Sequence, residues 1–498
     1  VGEKNYGGQE FPWKVLVLIN EIWESANMSF AVNNMLTQGA IELIQEHGNT
    51  LQKSKYLPNL ISGLWSGTMN LTEPHAGSDL SDIKTKAFEK NGHYCIKGTK
   101  IYITHGDQDM SDNIVHLVLA KLPNAPSGNR GISLFLVPKY YENANGSKIK
   151  NDIKVVSVEH KLGHNASPTC VLSFGENSNC VGELIGEQNA GLKTMFTMMN
   201  NARLNVGVQG IAIAERSYQK ALSFSKDRKQ GNSLNKNKNE KVNIIEHPDV
   251  KRMLMEMKSQ VEAMRGLAVF TGKTIDLSKK FENTKEGRHH LNLASLLTPV
   301  VKAWCTDQAV QITSLGIQIH GGMGFIEDTG AAQYFRDSRI LPIYEGTNGI
   351  QALDLIKRKL FLDGGKTFEA LVKEMKTISS KCLKSKEEDI FKIGEIFDFS
   401  INSLETAAKW IKDEINENPE HSAAGATPFL NMLGWTLGGW VMCKSALSSI
   451  ENKNKDLSEK FYKEKINTSL FFCTTYLPLS SSLLSTIKNS YKTISLIS

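Results

Sequence analysis

Cysteine is scarce and follows no pattern. The 498 residues hold seven, at Cys95, Cys170, Cys180, Cys305, Cys382, Cys443 and Cys473. The number is odd, and no Cys-x-x-Cys pair or Cys/His ligand spacing occurs, so neither a disulfide scaffold nor a metal centre is expected. A reducing, cytoplasmic setting is the simplest reading. Long apolar runs are also missing, so no membrane span is expected. The opening Val1-Gly2-Glu3-Lys4 has no apolar signal core, and with no initiator Met it reads as a fragment or a processed form. Neither sign of charge dominates. Lys plus Arg less Asp plus Glu is 58 − 52 = +6, a mild excess that suits an anionic, nucleotide-bearing ligand and argues little for nucleic acid. No Gly-x-Gly-x-x-Gly follows a strand-like run, which speaks against a Rossmann site. Asp363-Gly364-Gly365-Lys366-Thr367 looks like the end of a phosphate loop, but Leu360 stands where that loop needs glycine. Asn-x-Ser/Thr triplets such as Asn70-Leu71-Thr72 mean little in a cytoplasmic protein.

What is present is an ordinary globular chain, 40% hydrophobic and 22% charged, long enough to bury a large core. Residues 1–67 read as helical, with apolar residues at helical spacing from Val15 to Ile44. Near residue 68 the texture changes to short strand-like runs between Gly, Pro, Asn and Asp, among them His93–Ile96, Ile114–Leu119, Ile132–Val137, Val155–Val158 and Cys170–Phe174. Their alternation predicts a half-buried antiparallel sheet over 68–187. Helical period returns over 188–362. Met195, Phe196, Met199, Leu204, Val208, Ile211 and Ile213 mark a long buried helix, its methionines read as core packing. The polar stretch Lys226–Lys241 reads as a solvated loop. A last helical block spans 363–498, with a turn at Gly425-Ala426-Thr427-Pro428 and an apolar stretch around Trp435 and Trp440. Helices, then sheet, then helices is an α+β order, not alternating α/β.

Four segments carry candidate chemistry. Met69-Asn70-Leu71-Thr72-Glu73-Pro74-His75-Ala76-Gly77-Ser78-Asp79 offers hydroxyls and a small-residue turn whose N–H groups can approach an anion; a structural turn is an equal reading. In Ile101-Tyr102-Ile103-Thr104, an aromatic and a hydroxyl two apart share a strand face. They could back a flat ring, although plain sheet packing is the commoner use. Gln318-Ile319-His320-Gly321-Gly322-Met323-Gly324-Phe325 has glycines that permit close backbone approach. By itself it reads as a tight interhelical loop, with His320 structural. In Leu341-Pro342-Ile343-Tyr344-Glu345-Gly346-Thr347-Asn348, an apolar approach leads to a carboxylate at a Gly-flanked bend. Such surroundings can make a carboxylate a stronger base, but a surface Glu near a helix start is the commoner case.

In this order and spacing the four segments resemble the acyl-CoA dehydrogenase family, from about Tyr6 to Leu362. Arg203 and Arg228 match family positions as well. Met198-Met199-Asn200-Asn201-Ala202-Arg203-Leu204, Gly330-Ala331-Ala332-Gln333 and the extra block with Ala424-Gly425-Ala426 are similar to one branch, the 3-methylmercaptopropionyl-CoA dehydrogenases. The resemblance implies a helical domain, a middle β domain and a helical bundle, with FAD between them. It implies FAD contacts at Met69, Leu71, Thr72, Tyr102, Thr104 and Thr347, and it puts Ser78 near both flavin and substrate. Arg228, Gln318 and Gly322 match residues that reach the FAD of a neighbouring subunit, which implies a homodimer or larger. Arg203 matches a residue near the CoA end of the acyl site, and Gly346 follows the base on the substrate side. Glu345 matches the catalytic base, which takes the α proton of an acyl-CoA thioester while flavin N5 accepts the β hydride. Hydrogen bonds from the backbone N–H at that Glu and from a flavin hydroxyl stabilise the enolate-like charge. Electrons then leave for an electron-transfer flavoprotein.

Three departures stand out. The chain begins partway into the family's first helical domain, which puts one wall of the acyl pocket in doubt. Arg228-Lys229-Gln230-Gly231 stands where many members have Arg-x-x-Phe-Gly. Tyr102 replaces a common Trp. Four rival readings remain: a short- or medium-chain acyl-CoA dehydrogenase, an acyl-CoA oxidase, a structural helical protein with no flavin, and a DNA-associated flavoprotein of the same fold. The mixed charges of the last block, as in Lys386-Glu387-Glu388-Asp389, speak against the last.

Overall fold

The computed structural model describes residues 2–90, 92–143, 145–234, 241–452 and 457–497. The chain forms two compact units, one of residues 1–12 and 26–205, the other of residues 13–25 and 206–498. The units cut across the four sequence blocks inside two long helices. Helix α1 (Trp13–His47) leaves helical geometry at Asn27 (φ −158°, ψ 96°). There the Asn27 side chain accepts from Phe30 N at 3.1 Å, so a cap starts the second half of the helix.

The first unit is built on a sheet. Helix α2 (Thr50–Ile61) opens on a reciprocal capping box between Asn49 and Gln52. The strands follow as β1 (Trp65–Asn70), β2 (Lys86–Lys90), β3 (His93–Thr104), β4 (Asn113–Lys121), β5 (Ile132–Pro138), β6 (Tyr140–Glu142), β7 (Lys148–Lys150), β8 (Ile153–Val158), β9 (Thr169–Phe174) and β10 (Val181–Leu184). Eight of them make one sheet in the order β1-β4-β5-β10-β3-β9-β8, with β2 beside β3. All five strand-like runs of the sequence are strands. The sheet is mostly antiparallel, as expected, but β1 joins β4 in parallel register, Trp65 opposite Asn113 through Asn70 opposite Val118. No hairpin links β1 to its neighbour, so a parallel edge is open to it. The core holds Ile96, Val118, Phe135, Val137, Leu172 and Phe174. Gly67 of β1 is needed for close approach, since a Cβ there would lie 2.5 Å from Ala40 Cβ on α1.

The second unit is helical. Helix α3 (Gly191–Asp227), whose residues to 205 belong to the first unit and the rest to the second, is the long helix expected from the methionine-rich pattern. Met195 and Met198 are fully buried, and Phe196 and Met199 partly so. Part of the expected polar loop is ordered as a ribbon, β11 (Lys229–Asn232) paired with β12 (Lys241–Asn243). The middle of that expected loop, residues 235–240, lies outside the described residues. Helices α4 (Pro248–Lys280) and α5 (Lys285–His320) pack together, followed by the short α6 (Ala331–Ser338) and α7 (Asn348–Asp354). The terminal block adds α8 (Lys366–Leu383), α9 (Glu388–Glu417), α10 (Pro419–Ala424), α11 (Ala426–Asn452) and α12 (Glu459–Ile494).

Sequence inspection found no apolar run of membrane-spanning length, and this needs correction. By length and composition alone α12 could cross a bilayer. Here its Phe472, Cys473, Tyr476 and Leu477 are buried against α9 and α11. Small and polar residues between those apolar ones concealed the run. The apolar stretch around Trp435 joins this block to α5. Trp435 stacks on Tyr476 with centroids 4.5 Å apart and meets Trp304 of α5 edge-on at 5.3 Å. Glycine makes that approach possible, because a Cβ at Gly434 would lie 2.4 Å from Trp304 Cγ. Gly434→Val is therefore expected to destabilise the protein by about 1–3 kcal/mol through overpacking, read as a lower midpoint in urea.

Candidate active site

Candidate residues occur in both units. In the first, the segment after β1 is tied to β3. Thr72 O accepts from Ile101 N at 3.0 Å, and Leu71 O accepts from the Lys100 ammonium at 2.9 Å. Lys100 also pairs with Glu73 at 2.8 Å, with both side chains almost fully buried. Glu73 takes further bonds from Lys84 N, Thr85 N and the Thr85 hydroxyl. Burial pushes Glu73 up, but Lys100 and these donors outweigh it and hold the carboxyl below its ordinary value. Lys100 goes the other way: burial brings it down to about 8, against the pull of Glu73.

This frame carries Met69, Leu71, Thr72 and Thr104, each partly exposed, with Tyr102 and Ser78 more open. Tyr102 is 61% exposed at φ +59°, where the β3–β9 register shifts. A bulge there interrupts the pairing with β9, while Tyr102 and Thr104 both lie more open than Ile103 between them, which is buried. The Thr72 and Thr104 hydroxyls make no hydrogen bonds among the described residues. An open aromatic face with spare hydroxyls beside it suits a flat, polar-edged ring such as a flavin. Arg203 differs, being 6% exposed with its guanidinium 5.8 Å from the Phe196 ring centre.

In the second unit Glu345 is half-buried on the loop between α6 and α7, at φ +58°, and Gly346 follows at φ +82°. Two consecutive left-handed residues, one of them not glycine, need outside support. It comes from Lys302, which is fully buried on α5. Its ammonium donates to Gly346 O and to Asn348 Oδ1, each at 2.8 Å. The Asn348 amide donates in turn to Asp307 Oδ1 at 2.7 Å and to Thr306 Oγ1 at 3.0 Å. Burial raises the Asp307 carboxyl, opposed by Asn348 and the nearby cations Lys302 and Arg339. Gln351 Nε2 donates to Glu345 O at 3.2 Å. Thr347 caps α7 by accepting from Ile350 N at 3.2 Å, which leaves its O–H able to donate elsewhere. The Glu therefore stands near a helix start, as the plainer reading had it, on a turn held from beneath.

Gln318 and Gly322 are exposed at the end of α5, and a Cβ at Gly322 would meet nothing within 4 Å. Arg228 is exposed between α3 and β11. His320 is structural, as expected: it stacks on Phe224 at 4.5 Å and its Nδ1 bonds Gly316 O at 2.7 Å. Sequence reasoning missed Glu73, Lys100, Lys302 and Asp307. A lysine inside an apolar run, as in Val300-Val301-Lys302-Ala303-Trp304, was the available signal, because an unpaired buried ammonium is too costly to keep. Among the described residues no cluster suits a metal ion.

The sequence matches four descriptions in chain order. They are "Acyl-CoA dehydrogenase, N-terminal domain" over 2–64, "middle domain" over 68–176 and "C-terminal domain" over 189–360, then "Acetyl-CoA dehydrogenase C-terminal like" over 371–497. It is 45% identical to a 3-methylmercaptopropionyl-CoA dehydrogenase of Ruegeria pomeroyi, over 94% of this chain and 79% of that one. A butyryl-CoA dehydrogenase of Syntrophomonas wolfei is 35% identical, over 95% and 78%. The fold agrees with that of an acyl-CoA dehydrogenase complexed with FAD from Bacillus anthracis, at a TM-score of 0.77 and 22% identity, covering 98% of this chain and 79% of that one. Fold and sequence together define an oxidoreductase acting on CH–CH bonds, with FAD as its cofactor. The chain belongs to the acyl-CoA dehydrogenase family.

Two buried ion sites generate predictions. Lys100→Met should cost about 3–5 kcal/mol by stranding Glu73, and Glu73→Gln with Lys100→Met should cost less than the two singles summed. Because the folded-state value of Glu73 is depressed, its stabilisation is present above about pH 4.5 and is lost as pH falls further. Lys100 adds a stabilising limb from about pH 8 towards 10.5, where the unfolded chain holds the extra proton. Denaturant midpoints across pH for parent and double variant test both limbs. Lys302→Met should lose about 3–5 kcal/mol and, in the folded fraction, slow flavin reduction more than it weakens acyl-CoA binding.

Proposed function

We propose that this enzyme dehydrogenates 3-methylmercaptopropionyl-CoA to methylthioacryloyl-CoA, with Glu345 as the base. The observation that carries the reading is the carboxylate of Glu345 on a strained bend, held from beneath by buried Lys302 and Asn348. The 45% identity to the Ruegeria pomeroyi protein supports the substrate. FAD, when bound, supplies the acceptor for the β hydride. Glu345 takes the α proton, and its own backbone N–H steadies the thioester oxygen as charge develops there. Lys302, anchored to the Gly346 carbonyl, fixes the bend so that no reorganisation is needed at the moment of transfer.

In this reading Met69, Leu71, Thr72, Tyr102 and Thr104 contact FAD, with Ser78 near both ligands. The spare Thr72 and Thr104 hydroxyls and the open face of Tyr102 support it. Thr347 adds its remaining O–H. Gly346 and Arg203 serve the substrate, Arg203 from a buried position. Exposed Arg228, Gln318 and Gly322 reach the FAD of a neighbouring copy, so the working form is a homodimer or larger. The four segments 1–67, 68–187, 188–362 and 363–498 act as its domains. An electron-transfer flavoprotein takes the electrons onward, and the free state of all seven cysteines fits a reducing cytoplasm.

Anaerobic flavin bleaching with a panel of acyl-CoAs tests this. The parent should bleach fastest with the methylthio substrate, and Glu345→Gln should keep its flavin while bleaching ~10²–10⁴-fold more slowly. Equal bleaching by parent and variant would exclude Glu345 as the base. A faster response to butyryl-CoA would move the substrate to the short-chain class.

A further inference from the structure

A second carboxyl is linked to the Glu345 loop through buried side chains. Glu24, on the first half of α1, is 4% exposed although its neighbours Ile22 and Trp23 face solvent. Its Oε1 accepts from Gln209 Nε2 of α3 at 3.1 Å, and its Oε2 has no hydrogen-bond partner among the described residues. Gln209, itself fully buried, uses its carbonyl end to accept from the Tyr344 hydroxyl. Tyr344 immediately precedes Glu345. Burial, with the Glu24 and Glu345 carboxyls nearby, holds its phenol well above the ordinary value.

We propose that Glu24 is a positioning residue for Glu345: as an uncharged acid it ends the Gln209–Tyr344 chain and leaves the negative charge of the pair to the base. The inference rests on the reading of Glu345 as that base. A carboxylate buried with one oxygen unpaired is costly, and neutralisation removes the cost. Burial accordingly pushes Glu24 up to about 8, with only the Gln209 bond opposing. Gln209 meets it from α3, with Tyr344 and Glu345 beyond. On its flank two carboxyl groups share one guanidinium. Glu21, one turn earlier on α1, and Glu215 of α3 share Arg265 of α4, at 2.6 and 2.8 Å. Environments that set two linked carboxyls apart in acidity give one of them to acid form and the other to base form. Below about pH 8 Glu24 stays neutral and adds no charge to the chain that leads to Glu345. Above it, a second negative charge joins the chain and opposes both the ionised base and the charge growing on the substrate.

The test uses the FAD-loaded enzyme and the variants Glu24→Gln, Glu24→Leu and Glu345→Gln. Infrared difference spectra against pH should show one protonated carboxyl band that fades near pH 8 in the parent and is missing in Glu24→Gln. Anaerobic flavin reduction by methylthiopropanoyl-CoA should fall above pH 8 in the parent. In Glu24→Gln it should run a few-fold slower at pH 7 and lose the alkaline fall. Glu24→Leu removes the acceptor at the end of the chain. It should reduce flavin about tenfold more slowly at pH 7 with KM little changed, without melting earlier than the parent, and Glu24→Gln should recover most of that loss. The proposal is overturned if the band survives in Glu24→Gln, if that variant keeps the alkaline fall, or if Glu24→Leu matches the parent while Glu345→Gln is slow. Fast reduction by Glu345→Gln instead removes the base, and this proposal with it.

Discussion

A single ammonium group, buried without exposure on α5, holds the loop that carries Glu345, the proposed base. Lys302 bonds the carbonyl just beyond Glu345 and the amide oxygen of Asn348. An ion in a dry interior survives only when its donors are satisfied and its charge is met. Here the Gly346 carbonyl, Asn348 and, through Asn348, Asp307 do so together. The arrangement also accounts for a glutamate at a positive φ, a conformation that side chains other than glycine adopt at a cost. Tertiary bonds over-determine the turn, so the strain is retained.

The first unit solves a related problem in a different way. In its candidate segment after β1, a buried Glu73–Lys100 pair ties the chain to β3. Both units therefore place a buried cation next to a partly exposed candidate segment. A cation there bonds backbone carbonyls that the chain cannot pair internally at a sharp bend. The third such element is uncharged: Gln209, whose amide spans Tyr344 and Glu24.

Much of the fold was legible beforehand, because it is written in periods. Alternation located β3, β4, β5, β8 and β9, and helical spacing located α3 and the terminal block. The parallel pairing of β1 with β4 was not legible, since register between strands far apart in sequence leaves no local trace. Nor was the bulge at Tyr102, a shift of register against β9 that local alternation does not show. The membrane-length character of α12 was hidden among its serines and threonines, and what those side chains do emerges only where they pack.

By itself the Glu345 segment reads as a surface glutamate and the segment after β1 as an even choice between turn and site. It is the order and spacing of four segments, through their resemblance to a family, that single them out, while His320 reads as structural from its own surroundings. Tertiary structure alone decided that Lys302 supports Gly346, that Glu73 answers Lys100 and that Glu24 reaches Tyr344. Those partners are distant in sequence: 27 residues separate Glu73 from Lys100, 44 separate Lys302 from Gly346, and 135 separate Gln209 from Tyr344. A charge can be buried only where its counterpart arrives, and arrival is a property of the folded chain.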